Sequence, residues 1–413
     1  MTGQVHDLAD LLAGPSGLGT SASRLLRPSQ HDTSEAIQDQ ADMSCVSAGA
    51  DAAAPTNAIQ APGLAPGIDL REPWRSSLAR RDIYAPLLYA EREWGDGSYP
   101  PLYCPQTVRI DEDLAEEVNK RLVSWAGEAG IYATQIDKFR AAGFGRLAML
   151  THPDSDDPDL LLAAAQMNAA WWAADDYYAD ETSLGATPTE LPPRLALVMS
   201  AMDPPPPAGE YTRQLDEAIE ADPVLVALKS ATAHLTRHAT PAQVMRACGA
   251  TSHMYVSWAA YAAWRYLETL PPVWRYLAAR QHDSFYTSMT LIDIVGGYEL
   301  PANLFYESRF HRALMQAGTA AVLVNDLHSV AREAADELPD SNVVLLIAAE
   351  ENCSVPEATE RTVCLHNDFV RSFEASQRQL AAVPSVELQR FLRGAQAWMG
   401  GGFEWHATSS RYK

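Results

Sequence analysis

From residue 111 to the C-terminus, apolar residues recur at three- and four-residue spacing, and clusters of breakers separate the runs. Such spacing is the mark of helices that bury one stripe or all of their surface. It predicts helices near residues 111–128, 133–143, 157–182, 190–202, 210–220, 223–237, 241–266, 271–296, 301–337, 355–383 and 386–400. The first opens with Asp111, Glu112 and Asp113, where acidic side chains suit the positive end of the helix dipole. Asp203-Pro204-Pro205-Pro206-Pro207 and Pro271-Pro272 interrupt the pattern, because proline cannot continue a helix. Alternating β-branched runs are almost absent. The expected fold class is therefore all-α, a many-helix bundle occupying residues 99–413.

Residues 1–98 read differently. Between Gly14 and Gly67, Ala, Ser, Gly, Pro, Thr, Gln and Asp dominate, without sustained periodicity. A stretch such as Ala61-Pro62-Gly63-Leu64-Ala65-Pro66-Gly67 offers too little apolar surface to offset the entropy of ordering it. Residues 1–98 are expected to form a disordered tail, with a brief helix around Leu8, Leu11 and Leu12.

The charge narrows the function classes. The chain carries 53 acidic and 31 basic residues in 413, a net charge of −22. Nucleic acid and anionic membranes reward extended basic surfaces, so neither is the expected partner. Its five cysteines are scattered, and none forms a CxxC pair. That argues against a disulfide framework and against structural zinc, and a cytoplasmic location is the simplest expectation. The N-terminus lacks a basic, apolar leader, and no uninterrupted run reaches the ~18 apolar residues of a membrane span.

Two polar clusters end apolar helices. Asn325, Ser329 and Glu333 stand four residues apart, so an amide oxygen, a hydroxyl and a carboxylate share one helix face over about 12 Å. These are hard oxygen ligands, suited to Mg²⁺ rather than zinc. Arg332 places a cation beside the row. A polar solvent face is the competing reading. Against it, the apolar run Ala320-Ala321-Val322-Leu323-Val324 leads directly into the row. The second cluster is Asp175, Asp176 and Asp180, which follow Trp171-Trp172. Asp176 and Asp180 share a face, whereas Asp175 lies about 100° from Asp176, so all three converge only if the helix loosens there. Neighbouring carboxylates repel one another and oppose the negative helix end, a penalty that a divalent cation relieves.

Together these clusters resemble the two metal-binding motifs of class I terpene cyclases. Further segments fit the same pattern. Tyr276-Leu277-Ala278-Ala279-Arg280-Gln281-His282-Asp283-Ser284 resembles the segment holding the diphosphate-sensing arginine. Arg280 lies 45 residues before Asn325, at the interval the family keeps. Ser409-Ser410-Arg411-Tyr412 resembles the Arg-Tyr pair that closes over the diphosphate. The resemblance covers residues ~100 to 413. It implies the class I terpenoid synthase helical fold, a prenyl diphosphate substrate and three Mg²⁺ ions held through Asp175, Asn325, Ser329 and Glu333. It also implies diphosphate binding by Arg280, Arg332, Arg411 and Tyr412, with Arg280, Asp283 and Ser284 as the triggering residues. A carbocation needs a dry cavity faced with π systems. Trp171, Tyr178, Trp258, Tyr261, Trp264, Phe285, Phe403 and Trp405 are candidates, each also compatible with ordinary core packing. His282 and His406 receive no role.

The Ala/Pro-rich tail, Pro100-Pro101-Leu102-Tyr103-Cys104-Pro105, Gly143-Phe144-Gly145-Arg146-Leu147 and Gly402-Phe403-Glu404-Trp405 are similar to the 2-methylisoborneol synthase branch of that family. The branch implies cyclisation of 2-methylgeranyl diphosphate through a linalyl-type isomer, a terpinyl cation and a bornyl cation captured by water. Tyr177, Ala179 and the order Asp180-Glu181 depart from some members, which leaves deprotonation to 2-methylenebornane open. A sesquiterpene cyclase acting on farnesyl diphosphate and an idle helical scaffold are the remaining alternatives. A homodimer is the assembly considered, although no residue specifies it.

Overall fold

The computed structural model describes residues 87–179, 187–334 and 342–412, all within one compact unit spanning residues 71–413. Packed structure begins upstream of residue 99. Strand β1 (Tyr89–Arg92) pairs antiparallel with β2 (Leu102–Pro105), with Arg92 opposite Leu102 and Tyr89 opposite Pro105. This ribbon is the only sheet among the described residues. It is anchored by side chains: Asn367 Oδ1 accepts from the Tyr103 N–H at 2.8 Å, and Arg92 pairs with Glu404 at 2.8 Å.

Helices follow in the expected order: α1 (Glu112–Ala129), α2 (Ile136–Ala142), α3 (Phe144–Thr151), α4 (Pro158–Ala174), α5 (Leu191–Met202), α6 (Glu210–Glu220), α7 (Pro223–Thr236) and α8 (Pro241–Tyr266). Next come α9 (Val273–Arg280), α10 (Tyr286–Met289), α11 (Ile292–Val295), α12 (Ala302–Phe305), α13 (Ser308–Glu333), α14 (Val343–Glu350), α15 (Val355–Leu380) and α16 (Val386–Thr408). The all-α class expected from the sequence is observed. Two short helices, α3 and α14, were not expected, and four expected spans differ. The span 157–182 is α-helical to Ala174 and π-helical to Ala179, and its residues 180–182 lie outside the described residues. The span 271–296 is broken into α9, α10 and α11. The span 301–337 is split at Tyr306–Glu307, and its residues 335–337 lie outside the described residues. Helix α16 runs eight residues past the expected end at 400.

Helices α4 and α13 form the centre. In α4, Asp157 caps the N-terminus by accepting from the Asp159 N–H at 2.8 Å, and Pro158 fills the first turn, where a missing N–H costs nothing. Nearly every residue from Leu161 to Ala174 is buried, small alanines included, so neighbouring helices approach closely on all sides. In α13, the Glu307 carboxylate caps the N–H groups of Arg309 and Phe310, and burial runs from Phe310 through Ser329. The break after α9 depends on one glycine. A Cβ on Gly318 of α13 would lie 2.7 Å from the Tyr286 nitrogen and 3.0 Å from Ser284 Oγ. The missing side chain thus lets the 281–285 segment pass against α13.

Candidate active site

Helix α4 ends in a π-helical turn, Asp175–Ala179. The wider turn is the loosening that adjacent carboxylates need in order to face a common space. Asp175 faces the pocket described below. Asp176 accepts a hydrogen bond from the Tyr132 hydroxyl at 2.6 Å and pairs with the Arg411 guanidinium at 2.8 Å. Asp180 lies outside the described residues. Tyr132 was not anticipated from the sequence; its positive φ and the loop after α1 give no local signal.

The second cluster sits on the last two turns of α13. Ser329 is buried and Glu333 is half-buried. Asn342, immediately before α14, ties the two together: its Nδ2 donates to Ser329 Oγ at 3.3 Å, to Glu333 Oε2 at 2.8 Å and to the Asp326 carbonyl at 2.8 Å. One donor reaching both oxygens shows that they converge on a single small volume. Asn325 is part-buried on the same face; its Nδ2 donates to the Tyr412 hydroxyl at 2.7 Å, while its Oδ1 accepts from Arg280 Nη2 at 3.4 Å. An amide, a hydroxyl and a carboxylate arranged in this way form an oxygen donor set of the type that suits Mg²⁺. Arg332 does not join this group. Its side chain is 61% exposed, and its guanidinium rests on Glu333 at 3.0 Å.

Arg280 ends α9 and is buried between two carboxylates, Asp283 at 2.6 Å and Asp326 at 2.5 Å. Asp326 is fully buried and also accepts from the Tyr276 hydroxyl at 3.1 Å and the Val343 N–H at 3.0 Å. Burial pushes the Asp326 carboxyl up to about 6, against the lowering pull of Arg280, so it remains ionised at neutral pH. Sequence reasoning passed over Asp326, although it stands beside Asn325. It faces away from the oxygen row, toward Arg280, and only the fold assigns it a partner. Asp283 is held by the Trp258 indole N–H at 3.0 Å, and Ser284 Oγ donates to the Gln281 carbonyl at 2.8 Å.

Some of these groups meet at one pocket of about 580 Å³, including the open space at its mouth, whereas Asp176, Ser329 and Glu333 do not line it. Asp175, Arg280, Asp283, Ser284 and Asn325 supply its polar wall. Trp171, Trp172, Met254, Trp258, Phe285 and Val322 supply the apolar one. Of the anticipated aromatics, Trp171, Trp258 and Phe285 line it and the others do not. The Tyr178 hydroxyl donates to Asp222 at 2.5 Å, and Phe403 packs under the Arg92 guanidinium. The Trp405 indole N–H donates to the Ala142 carbonyl at 3.0 Å, and its ring packs on Trp172 at 5.8 Å, behind the wall. Tyr261 and Trp264 pack on one another, 5.7 Å between centroids. Trp172 was overlooked, although it is the neighbour of Trp171.

The C-terminal 3₁₀ turn, Ser410–Tyr412, joins the two polar clusters, with Arg411 on Asp176 and Tyr412 on Asn325. Behind it, His328 and His406 stack with 5.8 Å between centroids, and the His406 ring lies 4.8 Å from Tyr412. Burial depresses the pKa of His406 to about 3 and that of His328 to about 4, so both are neutral and add no charge beside Asn325.

Comparison with known proteins places this geometry. Residues 166–372 match the family described as terpene synthase family 2, C-terminal metal binding. The chain is 35% identical over 316 residues to a 2-methylisoborneol synthase of Streptomyces griseus, covering 75% of this chain and 71% of the relative. Among solved structures it is similar to the 2-methylisoborneol synthase of Streptomyces coelicolor A3(2). In complex with Mg²⁺ and 2-fluoroneryl diphosphate that enzyme superposes with a TM-score of 0.71 at 34% identity, over 76% of this chain and 97% of the other. Its complex with Mg²⁺ and geranyl-S-thiolodiphosphate gives a TM-score of 0.70 at 35% identity, over 76% and 96%. No helix among the described residues is long and apolar enough to cross a membrane. With Asp175 and Asn325, one residue from each polar cluster, facing one aromatic pocket, and with relatives of this identity and coverage, the chain belongs to the class I terpene synthase family and is a terpene cyclase.

Proposed function

We propose that the chain cyclises 2-methylgeranyl diphosphate to 2-methylisoborneol and releases diphosphate. The observation that carries this reading is the single pocket in which Asp175, Arg280 and Asn325 face a wall of Trp171, Trp172, Trp258 and Phe285. Three Mg²⁺ ions fit the donors: Asp175 would serve two of them, and Asn325, Ser329 and Glu333 the third. When bound, Mg²⁺ neutralises the departing diphosphate. Arg280, Arg411 and Tyr412 hydrogen-bond the diphosphate oxygens, the planar guanidinium fork matching them in pairs. Arg411 is held on Asp176 until then, so substrate binding exchanges one anionic partner for another rather than desolvating a bare cation. Arg332 joins the diphosphate only if it leaves Glu333.

Ionisation gives an allylic cation, and the indole and phenyl faces stabilise it while excluding bulk water. Isomerisation, closure to a terpinyl and then a bornyl cation, and capture by one water complete the proposed route. Tyr177 and Ala179, where this chain departs from some members of the branch, do not line the pocket. The Tyr177 hydroxyl instead accepts from the Tyr132 N–H at 3.0 Å. At Tyr177 and Ala179 the departure leaves the cavity wall unchanged, which supports water capture over deprotonation to 2-methylenebornane; Asp180 and Glu181 lie outside the described residues. The test is product analysis after incubation of the purified protein with Mg²⁺ and 2-methylgeranyl, geranyl or farnesyl diphosphate. Predominant 2-methylisoborneol from the first substrate supports the reading; a preference for farnesyl diphosphate, or 2-methylenebornane as main product, overturns it.

A further inference from the structure

Away from the pocket, three side chains converge at the opposite end of α4. Asp159 stands in the first turn of α4, His234 in the last turn of α7, and His238 two residues beyond it. His234 Nε2 lies 3.3 Å and His238 Nε2 3.0 Å from the same oxygen, Asp159 Oδ2. All three donor atoms lie within 4.8 Å of one another. The arrangement is not loose surface polarity. His234 is buried, and Gln166, also buried, accepts from its Nδ1–H at 2.6 Å. That bond orients the ring and turns Nε2 toward the Asp159 carboxylate, 3.3 Å away. A ring nitrogen and a carboxylate oxygen at this separation are bridged by a proton or by a metal ion.

We propose that Asp159, His234 and His238 form a second metal site that takes a borderline divalent transition ion, zinc or cobalt in type. At the metal–ligand bond lengths of tetrahedral zinc, neighbouring ligand atoms stand about 3.3 Å apart. The observed 3.0 and 3.3 Å match that edge. Two imidazoles and one carboxylate select such an ion over Mg²⁺, which prefers an all-oxygen shell. The Gln166 contact has the character of the outer hydrogen bonds that orient ligating histidines. With Asp159 46% exposed and His238 23% exposed, solvent reaches the remaining coordination position. The site is separate from the diphosphate pocket, since Asp159 precedes Asp175 by 16 residues of helix, about 24 Å along the axis. A bound ion would tie the start of α4 to the end of α7 and so brace the helix that presents Asp175.

The experiment uses the full chain stripped with a chelator and dialysed against Zn²⁺, with bound metal counted and Zn²⁺- and Mg²⁺-dependent thermal shifts measured. Substitution with Co²⁺ supplies a visible spectrum. The wild type should bind one Zn²⁺ more than His238→Ala and Asp159→Asn and give tetrahedral Co²⁺ bands. Its unfolding temperature should rise with Zn²⁺ by an increment that both variants lose, whereas any rise with Mg²⁺ should be the same in all three proteins. In both variants the Zn²⁺ affinity should fall by more than the roughly 10–100-fold that loss of an outer hydrogen bond costs, with Mg²⁺-dependent cyclase activity unchanged. Equal Zn²⁺ content in the wild type and both variants overturns the site. So does a Co²⁺ spectrum that survives His238→Ala but is lost in Asn325→Ala.

Discussion

Arg280 is the one buried cation in the polar wall of the pocket, and Asp326 is its deepest partner. Asp326→Ala removes the acceptor of three groups at once: Arg280, the Tyr276 hydroxyl and the Val343 N–H. Asp283 remains on Arg280 Nη1, but its side chain is 14% exposed, against 1% for Asp326. The low-dielectric half of the ion pair is therefore lost. Breaking a buried pair from one side costs about 3–5 kcal/mol, because it strands an uncompensated charge. For a domain of this size that corresponds to a fall of roughly 5–8 °C in Tm. The double variant Arg280→Met/Asp326→Leu removes both charges and should regain most of this stability while remaining inactive. Urea unfolding of the wild type, Arg280→Met, Asp326→Leu and the double variant gives the coupling energy directly, and kcat/KM separates stability from catalysis. A loss below about 1 kcal/mol in Asp326→Ala, or a double variant as unstable as the two single losses added, would refute the reasoning.

Other positions give further expectations. Arg411→Lys keeps the charge but loses the paired fork; KM for the diphosphate should rise roughly tenfold with little change in Tm, and steady-state kinetics reads both. Gly318→Ala drives a methyl group against Tyr286 and Ser284, and should cost about 1–3 kcal/mol by overpacking. Displacement of Ser284 should lower kcat as well, which thermal unfolding and initial rates measured together will show. Stability should also fall on acidification from pH 6.5. Burial keeps His152 and His406 near 3, and His328 and His366 near 4, so the unfolded chain takes up these protons first. Each imidazole contributes about 1.4 kcal/mol per pH unit below 6.5. Asp326 acts in the opposite sense, its raised pKa favouring the fold as pH falls through about 6. The histidines outnumber it, so a Tm that does not drop between pH 6.5 and 5 would contradict this assignment.

Much of the fold was legible because long helices write their period into the chain: α8 and α15 match their expected starts, each with a capping box. Short elements were not. Helix α14 is the run Val343-Val344-Leu345-Leu346-Ile347-Ala348-Ala349-Glu350, too uniformly apolar to show any period. The segment between α9 and α10 packs against Gly318 of a distant helix, a contact that no local pattern in 271–296 records. The site divides in the same way. Asn325, Ser329 and Glu333 were visible because one helix spaces them. Asn342, Tyr132 and Asp326 acquire their roles from partners elsewhere in the chain. Aromatic content alone could not separate Trp258, in the wall, from Trp405, behind it.

The proposed mechanism rests on Asn325 as a Mg²⁺ ligand in the last turns of α13. Diphosphate release from 2-methylgeranyl diphosphate, followed across a Mg²⁺ titration in the wild type and in Asn325→Ala, tests it most directly. The expected result is a fall of about 100-fold or more in rate, with a higher Mg²⁺ requirement, in a variant that keeps its fold by circular dichroism. Release at the full wild-type rate and at the same Mg²⁺ concentration would contradict it.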